Sequence, residues 1–451
     1  MDKFISLIGI PIQIGICYAL STDRKKVDWK LVFWGIGLQL LFAVFILLTP
    51  VGKGIFEYLN GAVNTLLGFT VKGAGFVFGD LVNWTVPVSV VTNPNPGYSE
   101  MAAKTAQQVS EIQMVAHTGG FFAFQVLPTI IFFSAFMAIL YHLGIMQRLV
   151  YYVAVLMQKT MKTSGAESLS AAANIFVGQT EAPLVIKPFI EKMTFSELAC
   201  VMSGGMATVA GGVMASYVGM LSGHFPNIAG HLIAASVMSA PAALVFSKIL
   251  VPETEVPETS GTVELKIEKV DQNVIDAAAR GCSEGMSLAI NVAAMLIGFL
   301  ALIAMGNHVW GMAANALGIT KYATLESLFG LVATPFAWLL GVPSQDLEVA
   351  GILLGKKTVL NEFVAYADLG QILSGKFLID GKVVEITERT KVIMTYALCG
   401  FANLGSIGIQ LGGIGGIAPE RRGDLAKLGV KALIAGTFAS FLTANIAGLF
   451  V

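Results

Sequence analysis

The chain has 451 residues, of which 55% are hydrophobic and 13% charged, and its mean hydropathy is +0.74. Soluble domains carry about 25% charged residues, so this composition is typical of a polytopic helical membrane protein. The net charge of −1 gives no indication of nucleic-acid binding. Four scattered cysteines and five histidines form neither a disulfide framework nor a metal-binding spacing.

The first apolar segment sets the orientation of the chain. Residues 4–20 are followed by the basic cluster Arg24-Lys25-Lys26, which the positive-inside rule places in the cytoplasm. This pattern predicts an uncleaved helix with its N-terminus outside, and a cleaved signal peptide is the alternative. The next segments are a return span (31–50), an interfacial helix followed by an external loop (51–118), and an inward span (119–145).

A polar hexapeptide, Gly178-Gln179-Thr180-Glu181-Ala182-Pro183, interrupts one of the most apolar regions of the chain. An ionisable group at bilayer depth is costly and marks a substrate or ion pathway by default. Non-helical backbone at that depth is tolerated only where it is buried in protein or lines a wet cavity. The pattern therefore predicts the tip of a re-entrant hairpin, and a loop between two core helices of a soluble protein is the alternative.

The remaining segments predict ordinary spans that alternate with broken ones. The last span ends outside, so both termini are expected there. In order, the segments are a hairpin entering from inside (165–192), a span broken near Gly204 to Gly212 (196–222), an inward span (226–250), a cytoplasmic loop (252–276), an outward span (286–306), an external amphipathic helix (323–341), a hairpin entering from outside (344–375) with its tip near Lys356 to Asn361, a second broken span (389–412) and a final span (424–450).

A weak internal duplication organises these segments. Each half contains a hairpin with one glutamate (Glu181 or Glu362), then a broken helix, then a plain helix. Because the two hairpins enter from opposite sides, the repeats are inverted, which is typical of alternating-access transporters. The predicted fold is all-α, with about eight transmembrane helices, two re-entrant hairpins of opposite orientation and interfacial helices. The predicted units are a scaffold (1–164), a first repeat (165–251), a second scaffold part (252–341) and a second repeat (342–451).

Other classes of function fit less well. Two carboxylates could serve as general acid and base, but the chain contains no HExxH, GxSG or GxGD motif, so we do not expect an enzyme. Rings of acidic side chains can select cations in a channel. Two hairpin tips of unlike sequence suit an asymmetric organic substrate better.

The side chains at the hairpin tips and breaks predict a small, neutral ligand rich in hydrogen-bonding groups. Amides, hydroxyls and carboxylates are all present, whereas the only cations are Lys356 and Lys357. Strongly anionic substrates are therefore not expected. Two of the polar groups have structural alternatives, since Gln179 could cap the broken helix and Ser406 could bond to a carbonyl one turn earlier. The candidate groups are Gln179, Thr180, Glu181, Glu362, Asn403 and Ser406.

Four motifs, GQTEAPLVIKPF, NEFVAY, CGFANLGS and PERRGD, occur in this order and closely resemble the concentrative nucleoside transporters, over nearly the whole chain. The resemblance implies a homotrimer of eight-helix protomers in the cell membrane, each with a scaffold and a moving domain that carries both hairpins. It implies no enzymatic activity and no cofactor, with nucleoside, a coupling ion and membrane lipid as the partners.

The resemblance also implies roles for individual residues. The turn from Gly178 to Glu181, including Gln179 and Thr180, would contact the nucleobase, with Val213 and Phe401 packed nearby. The ribose hydroxyls would be bound by Glu362, Asn403 and Ser406. An ionised glutamate that accepts from a sugar hydroxyl forms a charge-assisted hydrogen bond.

The family's sodium site matches the side chains of Asn174 and Thr208 and the backbone of Val177 and Val209. Oxygen ligands of this kind suit a hard cation. Position 208 is threonine where relatives have serine, so the hydroxyl is kept with an added methyl group. Other members of the family use protons, so a proton-coupled nucleoside symporter is the alternative to sodium coupling.

Overall fold

The computed structural model describes residues 2–82, 85–87, 115–117, 122–262, 271–319, 323–379 and 381–451. The polar stretch from Asn83 to Glu111, predicted as an external loop and given no role, lies almost entirely outside them. The helices are α1 (Asp2–Ala19), α2 (Trp29–Leu48), α3 (Pro50–Phe78), α4 (Phe122–Gln125), α5 (Leu127–His142), α6 (Ile145–Met161), α7 (Gly165–Ala173), α8 (Ala182–Val185), α9 (Lys187–Ile190), α10 (Phe195–Ala207), α11 (Gly211–Leu221), α12 (Ile228–Leu250), α13 (Val274–Ala316), α14 (Leu325–Leu339), α15 (Leu347–Val359), α16 (Glu362–Leu373), α17 (Glu388–Leu398), α18 (Leu404–Ile417) and α19 (Arg422–Phe450).

The predicted all-helical membrane fold is confirmed, with two small additions. Strands β1 (Thr85–Pro87) and β2 (Val115–His117) pair antiparallel, as do β3 (Leu378–Ile379) and β4 (Lys382–Val383). Short 3₁₀ turns precede α15 and α19 and also occur at Arg24–Lys26 and Gly79–Val82. Strands of two or three residues carry too little side-chain pattern to be recognised in the sequence.

Eight helical segments of the described chain are long and apolar enough to span a membrane, as predicted, but they are not the eight expected. The segment Pro50–Phe78, predicted to be interfacial, meets the criterion, whereas the second broken span does not because its halves, α17 and α18, are each too short. Helix α13 has 43 residues, far more than the predicted span 286–306. At about 1.5 Å per residue it is roughly 65 Å long, about twice the hydrocarbon thickness.

Helix α6 was not predicted. Its apolar residues recur on one face, and Val150, Ala154 and Met157 are buried while its basic residues point outward. A 17-residue amphipathic helix is too polar to be recognised as a membrane span by its hydropathy. In the sequence, only its basic residues stand out, and they mark the inner face.

Two helix–turn–helix pairs correspond to the predicted hairpins. The first consists of α7 and the short helices α8 and α9, and the second of α15 and α16. Residues with strong capping preference start the helices around them: Ser164 with Glu167 and Thr194 with Glu197 form capping boxes, and Asn361 caps α16. The turn of the second hairpin, at Leu360 and Asn361, falls at the end of the range predicted for its tip.

The two broken helices are interrupted more sharply than predicted. The first is non-helical from Thr208 to Ala210, within the predicted range of Gly204 to Gly212, and the second from Cys399 to Asn403. The glycine pairs on either side of the first break are helical. Close packing explains two of these glycines, because a Cβ would lie 2.8 Å from Gln179 at Gly205 and 3.1 Å from the Phe176 carbonyl at Gly211.

The long helices α12 and α19 hold the two repeats together. They pack against each other, and each also packs against α10 of the first broken helix and α17 of the second. Most of the side chains of α12 and the C-terminal half of α19 are buried. Each repeat therefore contributes one rigid helix to a shared core, and the breaks lie beside that core.

The first hairpin is fixed at its base by buried charges. The Lys248 ammonium lies 2.8 Å from Glu167 and 3.1 Å from Glu253 and donates to Ser196 at 3.1 Å. Breaking a buried pair by removing one partner costs about 3–5 kcal/mol, because a buried charge is left uncompensated. The network joins α7, α10 and α12 at the end of the molecule where α10 begins.

The base of the second hairpin lies at the opposite end. A Cβ on Gly370, near the end of α16, would lie 3.5 Å from Leu221, the last residue of α11. Because α10 and α11 run on in one direction, the two hairpins approach their breaks from opposite ends of the molecule.

Both chain termini lie at the end that carries the base of the second hairpin. The Arg389 guanidinium donates to the carbonyl of Val451 at 2.8 Å and to Ser6 Oγ at 2.8 Å. Nearby, Asp346 accepts hydrogen bonds from Thr387 N (3.0 Å) and Oγ1 (2.7 Å), which ties α15 to α17. The N- and C-termini are therefore on the same side.

Candidate functional site

The two breaks touch each other. The backbone N–H of Phe401 donates to the carbonyl of Thr208 at 3.2 Å, which satisfies one orphan group at each break. Gly400 makes this approach possible: its φ is +153°, and a Cβ there would lie 2.9 Å from the carbonyl oxygen of Ala207 and 3.0 Å from that of Met206. Only glycine fits this position.

We expect Gly400→Ala to destabilise the junction of the breaks. A side chain in this backbone conformation costs on the order of 1–3 kcal/mol, before any displacement of the two carbonyls. The thermal unfolding temperature of the purified protein should fall by several degrees. Gly416→Ala is the control, because a Cβ there meets nothing within 4 Å. Equal melting temperatures for the two variants would show that the junction tolerates a side chain.

The tip of the first hairpin lies against the first break. Gly211 N, at the start of α11, donates to the carbonyl of Phe176 at 3.0 Å. A Cβ on Gly205 would lie 2.8 Å from the Cβ of Gln179, so this glycine makes room for the hairpin tip. Gly178 is buried, and Thr180 is half-buried, with its Cγ2 2.8 Å from the position of a Cβ on Gly413 of α18.

Gln179 joins the two repeats. Its side chain is 7% exposed, its Nε2 donates to Ser406 Oγ at 3.2 Å, and its Oε1 accepts from Gln410 Nε2 at 3.1 Å. Gln410 also donates to the carbonyl of Met202 at 2.9 Å. Gln179 and Ser406 therefore meet each other, rather than bonding only within their own helices as the structural alternatives proposed.

The carboxylate of Glu362, at the tip of the second hairpin, is enclosed and accepts two hydrogen bonds. Tyr217 Oη donates to Oε1 at 2.9 Å, and Asn403 Nδ2 donates to Oε2 at 3.2 Å. Asn403 also accepts from the backbone N–H of Ser406 at 2.9 Å, so this one side chain caps α18 and orients the glutamate. Buried carboxylates persist when they are bonded in this way.

A buried cation accompanies this carboxylate. Lys357 is 1% exposed, and its ammonium donates to the carbonyl of Ala397, at the end of α17, at 2.6 Å. Lys357 lies near the end of α15 and Glu362 at the start of α16, on either side of the turn of the second hairpin. Lys356, the other cation predicted near the tip, pairs instead with Asp368 and faces away from the cluster, over Phe377.

The remaining predicted contact residues differ in how far they are buried. Val213 is 4% exposed in the first turn of α11, and Phe401 is half-buried. Glu181 is exposed, unlike Glu362, and lies against Gly178 of its own turn. The two hairpin glutamates therefore occupy different environments: Glu362 is buried and held by hydrogen bonds, whereas Glu181 is exposed.

Two of the four residues predicted to bind sodium, Asn174 and Thr208, lie close to Gly204. A Cβ there would lie 3.3 Å from Asn174 Nδ2, and the carbonyl of Gly204 accepts from Thr208 Oγ1 at 3.0 Å. Asn174 is fully buried, its Nδ2 donates to the carbonyl of Ser170 at 3.0 Å, and its Oδ1 has no partner in the described part of the chain. A buried acceptor without a partner fits a small cation with oxygen ligands. Val177 and Val209 lie in the adjoining non-helical segments.

Among the described residues, no group of three or more His, Cys, Asp or Glu side chains could hold a metal ion. Asn174 and Thr208 themselves offer neutral oxygen ligands, which suit a monovalent ion.

Two opposed helix pairs, two broken helices in contact at their breaks and one enclosed polar cluster define a secondary transporter with an inverted repeat. Models of the Na+ dependent nucleoside transporter C-terminus and N-terminus match residues 231–448 and 8–81, and a model described as nucleoside recognition matches residues 123–223. The chain belongs to this family of Na+ dependent nucleoside transporters, and the resemblance seen in the motifs is confirmed. Its members are transporters and not enzymes.

Several relatives match over the whole chain. An uncharacterized transporter of Haemophilus influenzae is 42% identical over 100% of this chain and 98% of its own. Sodium/nucleoside cotransporter 1 of Rattus norvegicus is 38% identical over 99% of this chain, which spans 64% of that relative's length. The solved structure of CNTnw in an inward-facing substrate-bound state is 40% identical, with a TM-score of 0.82 over 100% of this chain and 98% of that one.

Three polar residues of the cluster, Tyr217, Gln410 and Lys357, were not predicted as site residues. Tyr217 and Gln410 each lie four residues after a predicted one, Val213 and Ser406, and thus on the same helix face. That spacing is the signal that could have found them.

Proposed function

We propose that the protein is a sodium-coupled symporter that carries nucleosides into the cell by alternating access. One observation carries the proposal: Gln179, Glu362, Asn403 and Ser406, from both hairpins and the second broken helix, form one connected hydrogen-bond cluster. A ligand at this point would bond to both repeats at once, so its binding would depend on their relative position.

The chemistry of the cluster favours a nucleoside. Gln179 and Thr180 offer donors and acceptors for a nucleobase, with the exposed Glu181 beside them. Glu362 and Asn403 offer acceptors and donors suited to a pair of sugar hydroxyls. The Gln179–Ser406 and Asn403–Glu362 bonds are contacts that a ligand would replace with its own groups.

Sodium is the proposed coupling ion because Asn174 Oδ1 is a buried acceptor without a partner in the described part of the chain, and Asn174 and Thr208 both lie close to Gly204. Asn174 and Val177 precede Gln179 by only a few residues. A cation at Asn174, Val177, Thr208 and Val209 would fix the turn that presents Gln179 and Thr180. The competing proposal is proton coupling, with Glu181 as the proton carrier, because Glu181 is the carboxylate beside Gln179 and Thr180 at the tip of the first hairpin.

The moving unit, in this proposal, contains both repeats and slides elevator-like against the rest of the chain. Helices α1 and α2 belong to the scaffold predicted from the sequence, but their contacts favour the moving unit. Gln13 donates to Asn445 of α19 at 3.1 Å, and Thr22 N donates to the Leu250 carbonyl at 3.0 Å. The scaffold would then consist of α3, α5 and α13, because α14 packs chiefly against α15 of the second hairpin. The pairing of α5 with α13 and the apolar exposed side chains of α13 suit a scaffold that faces lipid and partner subunits.

Both termini would lie outside the cell, as the basic cluster at Arg24 to Lys26 predicts, and their common side is compatible with that placement. The homotrimer implied by the family would assemble through the scaffold. Mass determination of the purified protein in detergent tests this directly: three protomers support it, and a stable monomer contradicts it.

Uridine uptake tests the transport class. We expect vesicles that contain the purified protein to take up radiolabelled uridine with a rate that saturates and is reduced by other unlabelled nucleosides. A bilayer conductance that does not saturate, with no uridine uptake, would favour the channel alternative. The Gly416→Ala variant should take up uridine at the same rate as the original protein.

A further inference from the structure

A cavity of about 220 Å³ lies away from the polar cluster, between α3, α4 and the end of α11. Leu67, Val71 and Phe124 form apolar walls, and Thr70, Gln125 and Ser222 contribute polar groups. Among the described residues that line it, none carries a charge. A cavity of this composition suits a neutral molecule with one flat apolar surface and a polar edge.

Three polar atoms of the lining are buried without a hydrogen-bond partner in the described part of the chain. They are Thr70 Oγ1 and both amide atoms of Gln125, and Thr70 is only 5% exposed. Leaving such a group unpaired costs about 1–3 kcal/mol, so native proteins satisfy it with water or a ligand. A cavity of this volume leaves room for several waters or for a small heterocyclic ligand.

The position of the cavity relates it to the candidate site. Gly219, which lines the cavity, follows Val213 on α11 by six residues, or about 9 Å along the helix axis. Helix α5 closes the space between them: Thr129 and Ser216 share a hydrogen bond of 3.0 Å, and a Cβ on Gly212 would lie 3.5 Å from the Ile130 carbonyl. The cavity and the site therefore lie on the same helix, on either side of one helix–helix contact.

We propose that this cavity is a second nucleoside-binding site, in which Gln125 bonds to the polar edge of the base and Thr70 bonds to a further polar group. The amide offers a donor and an acceptor side by side, as Gln179 does in the candidate site. The site lies at the end of α11 opposite the base of the first hairpin. A nucleoside held there would pass to the first site when the α5–α11 contact opens. This inference rests on the proposed function.

Cysteine protection tests the site. Ser222→Cys would place a thiol at the cavity, in a Cys282→Ser background that removes the one exposed natural cysteine among the described residues. We expect uridine to slow labelling by a small uncharged maleimide. Protection should persist with unchanged half-maximal uridine concentration when Glu362→Gln is added, because that substitution affects only the first site.

Two further variants identify the contacts. Gln125→Leu and Thr70→Val should each raise the half-protecting uridine concentration about tenfold, the loss expected for one hydrogen bond. Thr65→Val is the matched control, because Thr65 is exposed on the same helix and bonds only to the Gly61 carbonyl. It should leave protection unchanged.

The outcomes separate this inference from the proposed function. Loss of protection with Glu362→Gln would show that protection comes from the first site. If Gln125→Leu and Thr70→Val leave the half-protecting uridine concentration unchanged, the cavity holds only water. Either result overturns the second site while saturable uptake still supports the transporter. If uridine protects the thiol, Gln125→Leu weakens this protection and the protein takes up no uridine, the second site is supported and the proposed function is contradicted.

Discussion

Glu362→Gln should weaken nucleoside binding chiefly at the ribose. The Glu362 carboxylate accepts from Tyr217 and Asn403, and both oxygens are available to sugar hydroxyls that displace or share these bonds. The glutamine amide keeps one acceptor oxygen, but its NH2 group replaces the other oxygen. This NH2 group would face a donor and cannot accept a hydrogen bond from it. Losing a hydrogen bond to a charged group costs about 1.5–3 kcal/mol, or roughly ten- to a hundredfold in affinity.

The measurement compares uridine with 2′- and 3′-deoxyuridine. In the original protein the deoxy analogues should bind more weakly, and in Glu362→Gln this difference should shrink. Glu385→Gln is the control, because Glu385 is exposed in the connection between β4 and α17. If the Glu362 variant still discriminates among the three ligands as strongly as the original protein, Glu362 does not contact the ribose.

Asn174→Ala should weaken sodium and nucleoside binding together. The substitution removes the orphaned Oδ1 acceptor and the bond to the Ser170 carbonyl, so the turn that leads to Gln179 loses its proposed ion. Linkage requires that sodium and nucleoside raise each other's affinity by the same factor, with a typical coupling of about 1–3 kcal/mol. Raising sodium should therefore tighten uridine binding in the original protein and leave the variant almost unaffected.

Two controls accompany this variant. Thr208→Ser keeps the hydroxyl that donates to Gly204 and should preserve most of the sodium effect. Asn227→Ala removes an exposed asparagine and should change nothing. Unchanged uridine affinity of Asn174→Ala in the absence of sodium would show that the variant remains folded. A sodium response that survives in Asn174→Ala would place the ion elsewhere.

The order of the elements could be predicted from the sequence because each depends on a strong local signal. Polar residues within apolar segments marked the hairpin turns, and glycine with asparagine marked the break at Gly400 to Asn403. Bounds of the ordinary spans were correct to within a few residues for α1, α2, α12 and α19. The length of α13 could not be predicted, because hydropathy reports only the part of a helix suited to lipid.

The polar cluster could be predicted only in part. Gln179, Glu362 and Ser406 were predicted from their unusual surroundings, but their contacts depend on how two distant repeats dock. Tyr217 is an aromatic residue in an apolar helix, and such residues are common in membrane spans. Its role becomes visible only when α16 places Glu362 within 2.9 Å of its hydroxyl. The attachment of α1 and α2 to the repeats likewise depends on tertiary contacts, such as that of Gln13 with Asn445.

Uphill transport is the most direct test of sodium-coupled symport. Vesicles that contain the purified protein are given an inward sodium gradient at equal internal and external pH, and radiolabelled uridine is followed over time. We expect internal uridine to rise above the external concentration and to fall back when an ionophore dissipates the sodium gradient. Accumulation that occurs with choline in place of sodium and follows an imposed proton gradient would contradict sodium coupling and favour Glu181 as the proton carrier. Uridine that only reaches equal concentrations on both sides under every gradient would contradict symport itself.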